Sequence, residues 1–440
     1  MISRSAYRVE TGALLRLAAP IVFTQLSLTF MGFADTIMVG HVSSAALAAV
    51  AIGNIYHWAL LVFGQGILFA LDPLVSQAYG AGDRQAVSDW FYRGLTVAII
   101  LSAIFYVAFQ FSAPILIACG QPLEIVPMAS AFVRANALGV PAFFIFVALR
   151  QTLQSMSITR PLVIAAIIGN IANLILNYLL IFGHGGFPAM GAAGAGLSTS
   201  LSRYLMMFVL VIGAREGLRD VLQKAPRLLE WAPYRRLLSI GLPTGIQIGL
   251  EVWAFMTVSL IMGTLGTLAL GSHQIALQLA SLSYMIPLGI GAAAATRVGN
   301  AIGRGDPTAA RIAATTSLFV GAIIMLSFAF LFAAIPAALS RMFTDDAEVI
   351  RVAVVLLPIA ALFQIFDATQ AVACGILRGL ADTRAAAIIN LIGYWVLALP
   401  IGYALAFRAN MGPTGLWWGL TLGLALVSVL LVARVRKMLR

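Results

Sequence analysis

Lysine is nearly absent from this chain: Lys224 and Lys437 are the only two in 440 residues, and neither follows a glycine. A phosphate-cradling loop needs a Gly-Lys-Ser/Thr end, because glycine backbone wraps the phosphates and the lysine reaches them. ATP-driven pumping by this chain is therefore excluded. Charge of either sign is also scarce, at 10% of residues, where ordinary domains carry ~25%. With 61% hydrophobic residues and a mean hydropathy of +0.98, the chain has too little polar surface to face water. Soluble enzymes, nucleic-acid binders and disordered proteins are set aside, despite a net charge of +11. There are two cysteines, Cys119 toward the outer end of the third apolar run and Cys374 near the inner end of the tenth. They fall on opposite sides of a membrane and cannot bridge. His41, His57, His184 and His273 stand singly, without metal-ligand spacing. No nucleophile constellation is visible either, so the chain is not read as an enzyme.

What is present is a series of long apolar runs. A bilayer-crossing helix needs ~20 mostly apolar residues. Twelve runs qualify: 17–39, 46–70, 93–113, 127–149, 161–182, 190–213, 237–262, 268–294, 312–336, 349–375, 385–407 and 413–433. Lipid cannot satisfy backbone polar groups, and the runs are too long and too uniformly apolar for barrel strands, so they are predicted to be helices. The first run holds Asp35 and lacks a small-residue cleavage site, so it is read as a span and not a signal peptide. With the N-terminus placed in the cytoplasm, 22 of the 27 basic residues fall on the inner side. Only Arg341, Arg351 and Arg408 fall outside, while Arg134 and Arg203 lie within spans. This bias predicts that both termini are cytoplasmic.

The chain is also written twice. Pro20 pairs with Pro243, Gly40 with Gly263, Leu47 with Leu270 and Gly66 with Gly289, all at a separation of 223 residues. Gly80-Ala81-Gly82-Asp83 pairs with Gly303-Arg304-Gly305-Asp306 at the same separation, in loops where hydrophobicity forces nothing. Six spans per half is an even number, so the halves enter the membrane in the same sense as parallel repeats. The expected fold is an all-α polytopic membrane protein, with twelve helices in two six-helix bundles related by a pseudo-two-fold axis. The lobes are expected at 1–213 and 237–440, joined by a charged cytoplasmic linker, 214–236, that contains Pro226 and Pro233. Two bundles facing a central cleft is a transporter architecture, and without ATP it must run on an ion gradient.

Carboxylates inside a membrane are costly and mark ion or substrate pathways. Asp35 in span one, Glu251 in span seven and Asp367 in span ten are the clear cases. Asp72, near the inner end of span two and beside Pro73, reads either as an interfacial cap or as a further acid of this kind. Polar residues at helical spacing accompany the acids: Thr244, Gln247 and Glu251; Phe363, Asp367 and Gln370, flanked by Gln364; Asn170, Asn173 and Asn177; and Gln274, Gln278 and Ser281. In span one, Gln25, Thr29, Gly32 and Thr36 share an arc with Asp35 at its edge. Such stripes either line a cavity or join helices. Low dielectric disfavours a bare carboxylate, which then takes a proton, a sodium ion or a cationic substrate. If these are mutually exclusive, arrival of the ion expels the substrate. Pro20, Pro141, Pro243, Pro287, Pro358 and Pro400 remove helix hydrogen bonds and permit bends.

Several segments carry a family resemblance. They are Ala19-Pro20, Met31-Gly32-Phe33-Ala34-Asp35-Thr36-Ile37-Met38-Val39-Gly40, Gln77-Ala78-Tyr79-Gly80-Ala81-Gly82-Asp83, Leu242-Pro243 followed by Glu251, His273-Gln274-Ile275-Ala276, and Leu377-Arg378-Gly379 with Asp382-Thr383-Arg384. With these the chain resembles the multidrug and toxic compound extrusion (MATE) transporters, most of all the NorM-type bacterial members, essentially end to end. The resemblance implies secondary active efflux of cationic or polyaromatic compounds across the bacterial inner membrane, in exchange for Na⁺ or H⁺, by a monomer with no cofactor and no nucleic-acid partner. It places the cation site, Na⁺ included, on Glu251 and Asp367, with Asp35 as the N-lobe acid and Asn170 near it. NorM-type members often carry a Tyr one turn before the span-ten acid; here it is Phe363. The alternative is a lipid-linked glycan flippase of related architecture. A flippase calls for basic residues in the cavity, and only Arg134 and Arg203 are available.

Overall fold

The computed structural model describes residues 4–222 and 227–440. No strand occurs among them. Eleven helices are long and apolar enough to cross a bilayer. Val126–Ala137 and Val140–Ser155, bent by 47° at their break, bring the number to 12 when taken as one broken span. That pair is the expected run 127–149, with Pro141 in the first turn of its second half.

The chain divides into two compact units. The N-terminal unit is Phe23–Gly241, and the C-terminal unit is Leu242–Arg440 together with Met1–Val22. In the first lie the second half of α1 (Arg4–Gly40), then α2 (Ser44–Leu68), α3 (Leu71–Gly80), α4 (Arg84–Gln110), α5 (Ser112–Ala118), α6 (Val126–Ala137), α7 (Val140–Ser155), α8 (Arg160–Phe182), α9 (Gly191–Gly213) and the short α10 (Arg219–Leu222). In the second lie most of α11 (Trp231–Thr264), then α12 (Thr267–Gly303), α13 (Pro307–Ala334), α14 (Pro336–Arg341), α15 (Ala347–Gly379), α16 (Thr383–Leu391), α17 (Leu399–Tyr403) and α18 (Pro413–Met438). Two π-helical stretches, Ile392–Ala398 and Ala404–Arg408, flank α17. Pro400 sits in the first turn of α17, where its missing N–H interrupts the regular ladder.

The unit boundaries fall inside α1 and α11, just after Pro20 and just before Pro243, and not at the expected linker 214–236. The reason is length. At 37 and 34 residues these helices are much longer than one bilayer crossing, so each has a leading stretch free to pack elsewhere. Within the C-terminal unit the start of α1 lies against α12 at Gly289, where an added Cβ would come 3.0 Å from the Val22 backbone nitrogen. Arg297 also clasps the Glu10 carboxylate there, its Nε at 2.8 Å from Oε1. Within the N-terminal unit the start of α11 lies against α2, where a Cβ on Gly241 would come 2.3 Å from the Ile67 carbonyl oxygen. The linker itself docks on α4: Ser88 Oγ donates to the Val221 carbonyl at 2.9 Å, and Asp89 accepts from the Arg227 N–H at 3.0 Å. Lys224 and Pro226 lie outside the described residues.

The duplicated Gly-x-Gly-Asp loop has one physical cause in both halves. Gly82 and Gly305 adopt φ of 73° and 71°, which a side chain disfavours. The next residue then caps a helix: Asp83 accepts from the Ala86 N–H and Asp306 from the Ala309 N–H, each at 2.9 Å. Small residues also let helices touch backbone to backbone. A Cβ on Gly375 of α15 would lie 2.1 Å from the Gly291 carbonyl oxygen of α12.

Asp72 lies wholly buried in the first turn of α3, where its Oδ1 accepts from Gln151 Nε2 at 2.6 Å and its carbonyl from Ser155 Oγ at 3.3 Å.

Candidate functional site

Each unit encloses a buried acid of its own. In the N-terminal unit α1 presents Asp35, 3% exposed, to the polar faces of α8 and α9. Asn173 Nδ2 and Asn177 Nδ2 donate to Oδ1 at 3.0 and 2.7 Å, and Thr199 Oγ1 donates to Oδ2 at 2.5 Å. Asn177 Nδ2 also donates to Asn173 Oδ1 (3.2 Å), while Ser198 Oγ returns to the Asn173 carbonyl at 3.2 Å. Three donors converge on one carboxylate and satisfy its charged form in place of water.

Asn170 does not join this group. Its Nδ2 donates to the Ala166 carbonyl of its own helix at 2.9 Å, and its buried Oδ1 has no partner. The span-one arc also turns inward on itself: Thr29 and Thr36 donate to the Gln25 and Gly32 carbonyls, and Gln25 Oε1 accepts from Arg150 at 2.9 Å. Thr199, which makes the shortest bond to Asp35, is absent from the sequence-based set. Its only signal is the hydroxyl run Ser198-Thr199-Ser200 in an otherwise small-residue helix start.

The C-terminal unit is built differently. Glu251 of α11 is 8% exposed and accepts at both oxygens, from Tyr284 Oη (α12) and from Gln370 Nε2 (α15), each at 3.0 Å. Gln370 Nε2 also donates to Asn390 Oδ1 at 2.8 Å, and Asn390 Nδ2 donates to the Ala386 carbonyl (2.8 Å) and to Cys374 Sγ (3.6 Å). Gln247, one turn before Glu251, is buried as well. Asp367, 5% exposed and one turn before Ala371 on α15, lies within electrostatic reach of Glu251, yet no described residue hydrogen-bonds it. Gln370 Oε1 and the fully buried Tyr394 hydroxyl are also without partners.

Phe363 is 1% exposed, and its ring meets Phe255 and Trp417 edge-on at 5.9 and 5.6 Å between centroids. It forms the apolar wall one turn from Asp367. Gln364 Oε1 accepts from Ser283 Oγ at 2.7 Å, and its Nε2 is unpartnered. Gln274 and Gln278 are exposed on α12 and do not reach this cluster, so the span-eight stripe is no part of the buried site. Tyr284, Asn390 and Tyr394 complete the C-terminal cluster. None of the three stands in the polar stripes read from the sequence.

No group of three or more His, Cys, Asp or Glu able to hold a metal occurs among the described residues. A hard monovalent cation takes oxygen donors. The carboxylates of Glu251 and Asp367, the unpartnered Gln370 Oε1 and the tyrosine hydroxyls are the donor types such an ion takes.

A twelve-span helical protein that is duplicated, and that buries a carboxylate in the opening helix of each half, belongs to the class of membrane transporters. The MatE family model matches it twice, over residues 20–179 and 243–404, starting at the two prolines that mark the repeat. The chain belongs to the MatE family, whose members are transporters and not enzymes. The multidrug resistance protein MdtK of Edwardsiella ictaluri (strain 93-146) is 34% identical over 99% of this chain and 97% of its own length. That of Yersinia pseudotuberculosis serotype O:1b (strain IP 31758) is 36% identical over 98% and 96%. The eukaryotic MATE transporter AtDTX14 superposes with a TM-score of 0.89 at 25% identity, covering 99% of this chain and 98% of its own. An outward-facing multidrug resistance MATE family transporter of the MOP superfamily gives 0.85 over 98% and 96%, at 17% identity, a likeness of fold alone.

Proposed function

We propose that this chain is a secondary active multidrug efflux transporter, which exports cationic or polyaromatic compounds in exchange for Na⁺ or H⁺ by alternating access. It acts as a monomer in the bacterial inner membrane, with both termini in the cytoplasm, in keeping with the distribution of its arginines. The observation that carries the reading is Asp367: a buried carboxyl group without a hydrogen bond, beside a second acid that has two. Such a group is stable only when something neutralises it. A proton, a sodium ion or an organic cation each does so, and only one fits the charge at a time. Exchange follows from this competition, with Glu251 and Asp367 as the shared cation site and Asp35 as the acid of the other half.

The flippase alternative is weakened by the two membrane arginines. Arg134 Nη2 donates to Ser130 Oγ, one turn away, at 3.1 Å, and Arg203 is engaged with Asn136 at 2.8 Å. The test is uptake of ethidium into everted vesicles containing the protein, under separately imposed pH and Na⁺ gradients. Uptake driven by one of the gradients is expected and identifies the ion. Uptake of no cationic dye under either gradient overturns the reading in favour of the flippase.

A further inference from the structure

Among the described residues Arg203 is the basic residue whose charge acts on Asp35, and the exchange described above makes no use of it. It lies on α9 one turn after Thr199, so the two side chains share a helix face. Thr199 holds Asp35 Oδ2. Arg203 Nη1 donates to Asn136 Oδ1 at 2.8 Å and faces His57 Nε2 at 3.2 Å, and its guanidinium lies 5.2 Å from the centre of the Phe143 ring. His57 is itself fully buried and stacked on Phe109 at 4.5 Å, which fixes the ring against which the guanidinium rests. The positive group is thus held near Asp35, yet forms no ion pair with it: all three bonds to the carboxylate come from neutral donors.

The C-terminal unit offers a direct contrast. Glu251 and Asp367 act on one another electrostatically, and the hydrogen bonds Glu251 accepts come from a tyrosine and a glutamine. A cation entering that cluster meets two acids on which no arginine among the described residues acts, the buried Arg378 lying instead beside Cys374. One entering the Asp35 cluster meets an acid under the field of an arginine that stands one turn along α9 from its Thr199 partner.

We propose that Arg203 is the residue that sets cation specificity between the two halves: it acts as a built-in counter-charge to Asp35 and confines organic-cation binding to Glu251 and Asp367. Because Arg203 is not bonded to Asp35, the carboxylate oxygens stay open to a proton, while a second full positive charge is repelled. Arg203 acts through Asp35 and need not touch the substrate. The inference rests on the exporter reading above.

The test uses purified full-length protein and equilibrium binding of tetraphenylphosphonium. Wild type is expected to show one class of site. Glu251→Gln with Asp367→Asn should weaken it by about tenfold or more, whereas Asp35→Asn, which loses coupled transport, should leave affinity within about twofold. Arg203→Gln should create a second class of site, which Asp35→Asn abolishes. Arg203→Lys should restore the single class, because it keeps charge while losing the planar contacts with Asn136 and Phe143; a purely structural arginine would not be rescued this way. A single class of site in a folded Arg203→Gln protein overturns the proposal. So does a loss of affinity in Asp35→Asn equal to that in the double variant, a comparison that stands even where Arg203→Gln does not fold. A wild-type protein that binds no tetraphenylphosphonium and drives no dye uptake overturns the exporter reading instead.

Discussion

The two C-terminal acids differ in their bonding, and this separates their contributions to stability from their contributions to transport. Asp367 makes no hydrogen bond, so Asp367→Asn removes a charge without breaking a contact. Its effect on stability is predicted to be small, within about 1 kcal/mol in either direction, because one unpartnered polar group replaces another of the same shape. Glu251→Met is different. It keeps the length of the side chain but removes the acceptor for Tyr284 Oη and for Gln370 Nε2. A buried donor left unsatisfied costs about 1–3 kcal/mol, and since Gln370 keeps a second acceptor in Asn390 the loss should be about 1–3 kcal/mol, from Tyr284. Both variants should lose gradient-driven efflux. The assay is thermal unfolding of the purified full-length protein at one detergent concentration, paired with dye transport in proteoliposomes. The expected result is a clear fall in unfolding temperature for Glu251→Met and little or none for Asp367→Asn, with transport lost in both. Equal destabilisation of the two variants would refute the reasoning, since it would mean that Asp367 has a structural partner. Retained transport in Asp367→Asn would remove it from the coupling site.

The asparagines of α8 should separate in the same manner. Asn177→Leu deprives Asp35 of a donor and should reduce efflux at least about tenfold, a charge-assisted bond being worth ~1.5–3 kcal/mol. Asn170→Leu, which loses only a bond to its own helix, should transport close to wild type, and dye-efflux rates of the two decide the point. Phe363→Tyr places a hydroxyl one turn from Asp367 and should strengthen the Na⁺ stimulation of efflux. An unchanged Na⁺ titration would show that the hydroxyl is no ligand. Gly375→Ala should fail to give a monodisperse protein by size-exclusion chromatography, because the new Cβ meets the Gly291 carbonyl and neither helix backbone can yield. Gly82→Ala has open space around it and a cost limited to its φ of 73°, about 1–2 kcal/mol, so it should still fold.

These contrasts also mark what the sequence could and could not convey. Span number was legible because lipid demands a minimum apolar length, and the duplication because turn glycines and capping aspartates answer to local backbone geometry at each position. The acids were legible because a carboxylate in an apolar run has no cheap explanation. Their partners were not. Thr199 reaches Asp35 and Tyr284 reaches Glu251 from other helices, and helical spacing shows which residues share a face without showing what that face meets. Gln274 and Gln278 illustrate the limit: a regular polar stripe that stays exposed. The crossing of α1 and α11 between units was hidden for the same reason, since an apolar run carries no mark of the neighbour it packs against. One difference between the halves shows how a duplicated scaffold came to hold two kinds of acid. In the repeat frame Asp35 corresponds to Val258, which lies buried in the C-terminal core. Glu251 stands seven residues before Val258, on the same helix face and about 10 Å further along the axis. The acids therefore occupy the same face of equivalent helices at different depths. Asp35 meets amides, a hydroxyl and the field of an arginine, while Glu251 meets a tyrosine, a glutamine and a second carboxyl group. Identical packing rules built both bundles, and moving one charge by two turns was enough to give them different chemistry.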